Sequence, residues 1–222
     1  DPISALGRWV LREALRQRAQ WQRDYPSERP LGVSVNLSPR EVLQPRLPSN
    51  VAEALREANV SPESLALEIT ESLFIDTGDA TLATLRELAG LGVKLHLDGF
   101  GTGYSSLSYL HRFPISAVKI DRYFVSRLDA AECEEIVRSV VELSKRLGMD
   151  TIAEGAESDD QGVRLRDIGC NLLQGYACAR PVPPREAEAL LARQAGMSER
   201  SRSIASAHLF TPHSDIHPSL GA

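Results

Sequence analysis

Three polar residues stand at equivalent places in three short segments of alternating hydrophobicity. Asn36, Glu68 and Asp98 each come late in a run whose apolar residues recur at every second position. Alternation of this kind is typical of a β-strand with one buried face, so the three polar side chains fall on the opposite face. Oxygen donors gathered on one face are the ligands that Mg²⁺, Mn²⁺ and Ca²⁺ prefer. The spacing therefore predicts a site for a divalent cation.

Later segments add groups that suit phosphate chemistry. Lys119, with Asp121 two residues on, supplies a cation for a phosphate or for developing negative charge. Glu154 is a candidate general base, and Gln174 is a neutral hydrogen-bonding group. A carboxylate at the end of a strand often only caps the next helix, so each residue taken alone also has a structural interpretation. Polar residues near the ends of six successive strands favour one common site.

The elements that must position these residues alternate along the chain. We predict helices over 3–21, 50–58, 81–88, 105–111, 132–147, 161–167 and 184–194. We predict strands over 33–38, 65–70, 93–98, 117–120, 151–153 and 172–176. Strands separated by helices at this spacing indicate parallel βαβ units, in which ligands bind at the carboxyl ends of the strands. We expect one domain over residues 1–195 and a disordered tail over 196–222, which is rich in Ser, His and Pro.

The composition excludes several classes of protein. The chain has 222 residues, a net charge of −5 and 42% hydrophobic residues, which are globular proportions. No apolar run reaches the ~18 residues of a membrane span, and the acidic excess disfavours a surface for nucleic acid. Cys133, Cys170 and Cys178 are odd in number and lack metal-ligand spacing. They predict free thiols in a reducing, cytoplasmic compartment.

Six short motifs, taken together, resemble those of the EAL-domain family of bacterial cyclic di-GMP phosphodiesterases. They occur in that family's order between about residues 3 and 191. They are Val35-Asn36-Leu37-Ser38, Glu68-Ile69-Thr70-Glu71, Asp98-Gly99-Phe100-Gly101-Thr102-Gly103-Tyr104-Ser105-Ser106, Lys119-Ile120-Asp121-Arg122, Ala153-Glu154-Gly155-Ala156-Glu157 and Leu173-Gln174-Gly175-Tyr176. The resemblance implies a TIM-barrel-like (β/α)₈ fold with two divalent metals, Mg²⁺ or Mn²⁺, at the carboxyl-terminal mouth.

The resemblance also implies a role for each motif residue. Asn36, Glu68 and Asp98 match metal ligands, and Lys119 and Glu154 match the catalytic lysine and the general base. The residues that match substrate or loop positions are Asp121, Gln174, Glu71, Glu157, Gly101, Thr102, Gly103 and Tyr104. Among these, Glu71 matches the carboxylate that anchors the Gly-Thr-Gly-Tyr loop. The implied reaction is hydrolysis of cyclic di-GMP to linear pGpG by a metal-activated water.

Two departures from the family pattern bear on this activity. The Glu-Ala-Leu motif is absent and the chain starts in the helix that follows it in the family, so we expect about six βα units, without two strands and the first metal-binding glutamate of the family. Gly99 stands where the family has a second aspartate, a ligand of the second metal. A two-metal site must hold both ions close together to activate water. We therefore expect Mg²⁺ or Mn²⁺ to be bound weakly.

Three hypotheses about function follow. The first is a degenerate domain that binds cyclic di-GMP or a protein partner in second-messenger signalling, with weak or no hydrolysis. The second is an active phosphodiesterase once the upstream segment is present, and the third is a non-functional fragment. Gly99 favours the first, whereas intact Lys119 and Glu154 favour the second. Expected partners are cyclic di-GMP, an upstream sensor or GGDEF-type domain, and a second copy paired through exposed sheet edges.

Overall fold

The computed structural model describes residues 2–27, 30–74, 78–101 and 107–200. In these ranges one sheet is built from β1 (Val33–Leu37), β2 (Leu65–Thr70), β3 (Lys94–Phe100), β4 (Ala117–Ile120), β5 (Asp150–Glu154) and β6 (Leu172–Gln174). Every neighbouring pair is parallel, and the order of the strands in the sheet is their order in the chain. The sheet curls into part of a barrel. The predicted parallel α/β architecture is therefore confirmed.

Helices connect and cover these strands. They are α1 (Pro2–Asp24), α2 (Pro39–Val42), α3 (Leu47–Ala58), α4 (Asp79–Gly90), α5 (Leu107–Arg112), α6 (Arg122–Val125), α7 (Ala131–Arg146), α8 (Asp159–Ile168) and α9 (Pro184–Arg200). One-turn 3₁₀ helices precede and follow β2, at Pro62–Ser64 and Glu71–Phe74. The longer helices match the prediction. The short helices α2 and α6 have no counterpart in it, because four residues are too few to show a helical period.

Several boundaries differ from the prediction. Helix α9 continues to Arg200, so residues 196–200, which the sequence assigns to the disordered tail, are helical. The helix continues because this stretch still contains Met, Glu and Arg, which favour helices, and no proline. Strand β6 ends at Gln174, where the predicted strand continues to 176, and α4 ends at Gly90, where the predicted helix ends at 88. Residues 201–222 lie outside the described residues, so disorder there stays a prediction.

The hydrophobic core lies between one face of the sheet and the helices. Alternate strand residues, among them Leu67, Leu95 and Val118, are buried in it together with Leu15 of α1 and Leu85 of α4. The other face of the sheet carries the small or apolar residues Ala66, Ala117 and Ile152, which are buried but lie outside this core cluster. The late polar residues of the strands share that second face. The division between a polar and an apolar face that the sequence predicts for the first three strands is confirmed.

Two further findings concern the class of protein. Cys133, Cys170 and Cys178 are free thiols, and the first two are buried. Burial raises the pKa of the Cys170 thiol to about 12, so this side chain is an inert part of the interior. Among the described helices, none combines the length and the apolar character that crossing a membrane requires.

Candidate functional site at the carboxyl ends of the strands

The ammonium group of Lys119 lies at the centre of carboxylates contributed by three other strands. Its Nζ is 2.5 Å from Glu68 Oε2, 2.7 Å from Glu154 Oε1 and 3.6 Å from Asp98 Oδ1. The side chains of Lys119 and Glu68 are only 3% and 8% exposed, whereas those of Asp98 and Glu154 keep 26% and 20% exposure. Four of the predicted site residues therefore meet at one point, which is accessible from solvent beside Asp98 and Glu154. We call these four residues the Lys119 cluster.

Strand register places the Lys119 cluster on one face. Side chains alternate between the two faces of a strand, so the late polar residues of adjacent parallel strands share the inner face. The ladder between β3 and β4 shifts between Leu97 and Phe100, which makes an irregularity containing Asp98 and Gly99. Gly99 has a φ of +72°, in the left-handed region that L residues adopt with strain. Irregularities of this kind re-aim side chains near functional sites, and here Asp98 turns toward Lys119.

Electrostatics in the cluster are set by one cation among three carboxylates. Burial acts to lower the pKa of Lys119, but hydrogen bonds with Glu154 and Glu68 outweigh it, so the pKa is raised and the ammonium stays charged. Burial raises the pKa of Glu154. The hydrogen bond with Lys119 opposes this rise, and the charges of Asp98 and Glu68 add to it. A partly exposed carboxylate with a raised pKa is suited to accept a proton near neutral pH.

Other predicted site residues have different surroundings. Asn36 is exposed on β1, opposite Glu68 in the ladder, and Gln174 is exposed on β6, opposite Glu154. Asp121 Oδ1 accepts a hydrogen bond of 2.7 Å from the Tyr123 amide and so caps α6. Glu157 is exposed beyond β5. For Asp121 the structure thus shows the helix-capping role that strand-end carboxylates often have, and its role toward substrate stays a prediction.

The loop that follows β3 is described only at its start. Gly101 lies against the ring of Phe124, where a Cβ built on it would be 2.9 Å from Cε2. Both carboxylate oxygens of Glu71 are buried and have no hydrogen-bond partner within the described ranges. Thr102, Gly103 and Tyr104 lie outside the described residues. The anchoring of this loop by Glu71 therefore stays a prediction.

His96 is a further buried polar residue on the inner face. It pairs in register with Glu68 and is 8% exposed. Burial lowers the pKa of His96, and the nearby charge of Glu68 opposes this, which favours the neutral imidazole. Its Nδ1 has no hydrogen-bond partner in the described part of the chain. His96 and Asp98 are two residues apart in the same strand, so alternation places both side chains on the same face. This spacing is the sequence signal that indicates an inward-facing His96.

The Lys119 cluster fits a divalent cation by its chemistry but not by its arrangement. Carboxylate oxygens suit Mg²⁺ and Mn²⁺. However, Lys119 Nζ occupies the point on which Glu68, Asp98 and Glu154 converge. Within the residues that the structure describes, no three His, Cys, Asp or Glu side chains are grouped to hold a metal ion. As folded, the carboxylates are arranged around an ammonium group.

With this geometry in place, comparison with known proteins decides the family. A family profile described as the EAL domain matches residues 1–181. The chain belongs to the EAL domain family. This EAL domain is 41% identical over 195 residues to the bifunctional diguanylate cyclase/cyclic di-GMP phosphodiesterase MucR of Pseudomonas aeruginosa, covering 86% of this chain and 27% of MucR. It is 38% identical over 182 residues to the cyclic di-GMP phosphodiesterase PdeR of Escherichia coli, covering 82% of this chain and 27% of PdeR. The chain thus spans about a quarter of the length of the curated relatives it matches.

Solved structures confirm the EAL fold. A MucR phosphodiesterase in complex with c-di-GMP superposes with a TM-score of 0.77 at 39% identity, over 83% of this chain and 74% of that one. The EAL domain of Mycobacterium smegmatis DcpA gives a TM-score of 0.81 at 34% identity, over 87% and 86% of the two chains. Klebsiella pneumoniae BlrP1, in a manganese/cy-diGMP complex, gives 0.72 at 28% identity, over 80% and 45%. The resemblance inferred from the six motifs is confirmed at the level of family and fold.

Proposed function

We propose that this EAL domain binds cyclic di-GMP at the carboxyl ends of its strands and hydrolyses it slowly or not at all. MucR and PdeR are named for cyclic di-GMP chemistry, and the MucR structure is a complex with that nucleotide. The Lys119 cluster lies at the carboxyl ends of the strands, where parallel α/β folds bind their ligands. Lys119 offers the positive charge that a phosphodiester needs, and Glu154 offers a proton acceptor beside it.

The observation that carries the proposal of weak hydrolysis is the arrangement around Lys119 Nζ together with Gly99. Glu68, Asp98 and Glu154 are committed to the ammonium group, and Gly99 supplies no carboxylate. A general base contributes only ~10²–10⁴-fold to a rate. The larger share in a two-metal hydrolase comes from ions that activate water. We therefore propose that Mg²⁺ or Mn²⁺ is bound weakly here. The domain then retains nucleotide binding while hydrolysis is slow or absent.

Calorimetric titration of the chain with cyclic di-GMP tests binding, in buffer alone and with Mg²⁺ or Mn²⁺. Because the cluster has three carboxylates and one ammonium, we expect binding to strengthen when a divalent cation offsets the excess negative charge. Lys119→Met should abolish binding. Lys145→Met removes an exposed lysine on α7 and should leave binding unchanged. Equal binding by both variants, each folded by circular dichroism, would contradict the proposal.

A second candidate function, active hydrolysis, is favoured by the intact contact between Lys119 and Glu154. Release of pGpG separates the two candidates when the parent is compared with Gly99→Asp. Aspartate tolerates a positive φ better than most residues, so the variant restores a carboxylate at modest strain. A slow parent and a faster variant support a degenerate site. Rapid turnover by the parent, without gain in the variant, would establish an ordinary phosphodiesterase, and a folded chain that binds no nucleotide would favour the non-functional fragment.

The setting of the domain in a larger protein is part of the proposal. MucR carries the name of a bifunctional diguanylate cyclase and phosphodiesterase and is much longer than the region matched here. We infer that this EAL domain works beside a sensor or GGDEF-type domain that regulates it. The three free thiols suit a reducing compartment, the cytoplasm.

A further inference from the structure

The backbone directly after Glu154 is in very close contact with the start of α6. A Cβ built on Gly155 would lie 2.5 Å from Cβ and 3.3 Å from Cα of Arg122, and real Cβ atoms essentially never approach within 3.0 Å. Gly155 also has a φ of +72°. Only glycine satisfies both conditions, since it has no Cβ and adopts positive φ freely. The ends of β4 and β5 are therefore brought together by a contact that any side chain would prevent.

We infer that Gly155 is a positioning residue of the site, whose contact with Arg122 sets the separation between Lys119 Nζ and Glu154 Oε1. Gly155 follows Glu154 directly, and Arg122 lies three residues after Lys119. The two charged atoms are 2.7 Å apart. This inference deepens the proposed function, because the pair lies in the proposed nucleotide site, but the contact exists without nucleotide.

Helix α6 is also packed on the side that faces away from β5. A larger residue at position 155 therefore cannot displace the helix in that direction. Phe124 of α6 is buried, and its ring lies against Gly101. Asp121 caps the same helix by accepting from the Tyr123 amide. A displacement of α6 away from β5 would therefore press Phe124 into the backbone at Gly101.

The loop after β5 is held equally firmly. The Ala156 amide donates to the carbonyl oxygen of Gln174 at 3.3 Å, and the Ala156 carbonyl oxygen accepts from the Ala177 amide at 2.8 Å. A Cβ built on Gly175 would overlap the backbone of Ala156. With both sides supported, a methyl group at position 155 must widen the gap between β4 and β5. A displacement of about 1 Å at a catalytic group costs ~10² in rate.

The experiment compares Gly155→Ala with Gly148→Ala in the unliganded chain. Gly148 also has a φ of +72°, but nothing lies within 4 Å of its Cβ position, so both alanines must adopt the same unfavourable φ and only one meets a neighbour. The chain contains only three lysines, Lys94, Lys119 and Lys145. With ¹⁵N-labelled lysine, the ammonium signal of the buried and hydrogen-bonded Lys119 is the readout, assigned with Lys119→Arg. We expect this signal to be lost in Gly155→Ala and kept in Gly148→Ala.

A second variant tests the contact itself. Arg122→Gly removes the Cβ that the new methyl group would meet, so the double variant Gly155→Ala/Arg122→Gly should recover the Lys119 signal. The inference is overturned if Gly155→Ala keeps the parent signal, if Gly148→Ala loses it equally, or if the double variant fails to recover it. Should Gly155→Ala not fold, recovery of fold and signal in the double variant supports the inference, and its failure to recover them counts against it. A parent chain that shows this pattern but binds no cyclic di-GMP would contradict only the proposed function.

Discussion

Two buried cationic side chains lie at opposite edges of the same sheet and are satisfied in different ways. At the carboxyl edge, Lys119 contacts three carboxylates. At the amino edge, Arg18 of α1 donates from Nε to the Leu31 carbonyl oxygen at 2.8 Å and from Nη2 to Ser64 Oγ at 2.9 Å. Its other described partner is the neutral Gln22. Burial lowers the pKa of Arg18, which has no carboxylate partner among the residues that the structure describes.

The difference separates a stabilising edge from a functional one. Neutral acceptors satisfy the Arg18 guanidinium and connect α1 to the starts of β1 and β2 without gathering further charge. Thr151 and Asn171 connect the starts of β5 and β6 in the same way, through bonds of 2.8 and 3.0 Å to Asn171 Oδ1. The carboxyl edge instead has three negative charges around one positive charge. This excess negative charge destabilises the folded chain unless a bound ligand offsets it. This excess charge indicates a site shaped by binding.

The largest expected effect is that of Lys119→Met on stability. Removing the ammonium leaves Glu68, Asp98 and Glu154 close together without a cation, and breaking a buried pair in this way costs ~3–5 kcal/mol. Urea unfolding measures the loss. Lys145→Met, at an exposed position, should stay within ~0.5 kcal/mol of the parent. A loss as small as that of the control would mean that the carboxylates do not depend on Lys119.

Arg18→Met should have a smaller effect and no consequence for ligand binding. It deprives the Leu31 carbonyl and Ser64 hydroxyl of their donor, and because Leu31 is only half-buried we expect a total loss of ~1–3 kcal/mol. Urea unfolding and calorimetric titration with cyclic di-GMP measure the two quantities. Arg12→Met, which breaks half-exposed ion pairs with Glu53 and Glu57, is the control and should cost less than ~1 kcal/mol. Weakened nucleotide binding in Arg18→Met would contradict the division between the two edges.

Glu154→Gln should stabilise the protein while impairing the site. The raised pKa of Glu154 means that folding favours its protonated form, so its ionisation costs stability as the pH rises from the ordinary carboxyl range through the raised value. The neutral variant avoids that cost, so its Tm at neutral pH should be higher than that of the parent. Thermal melts should show the gain near pH ~7 and none near pH ~4, close to the ordinary glutamate pKa. The control Glu157→Gln, at an exposed position, should leave the Tm unchanged at both pH values. A lower Tm of Glu154→Gln than of the parent at pH ~7 would refute the interpretation.

The sequence predicted the strands and their faces well because both depend on local periodicity. The bounds of β2 and β4 match the prediction to the residue, and Glu68 and Asp98 lie on the face that the alternation of side chains assigns to them. The central place of Lys119 among the carboxylates was not predictable. The alternation of side chains along a strand gives the face on which each side chain lies. The distance between side chains on different strands depends instead on sheet twist and on the irregularity at Gly99.

The contacts that support the site were also beyond prediction from the sequence. Gly155 was expected only as part of a motif, and its approach to Arg122 depends on α6, a single turn without a periodic signal. The hydrogen bonds of Arg18 to neutral acceptors were not predictable either, because these acceptors lie in a loop and in a 3₁₀ turn. Such contacts join segments distant in the chain through backbone atoms, which carry no compositional signal.

The order of strands in the sheet has a consequence for how the molecule opens. Because each strand pairs only with its neighbours in the chain, the sheet can lose an end strand while the remaining ladders stay intact. β6 has three residues and lies at one end, whereas β2, β3 and β4 are interior and carry Glu68, Asp98 and Lys119. Local unfolding that begins at β6 would release Gln174 and the backbone bond to Ala156 before it reaches the buried charges. Amide hydrogen exchange would then be fastest at the edge that carries Gln174 and slowest where the carboxylates meet Lys119.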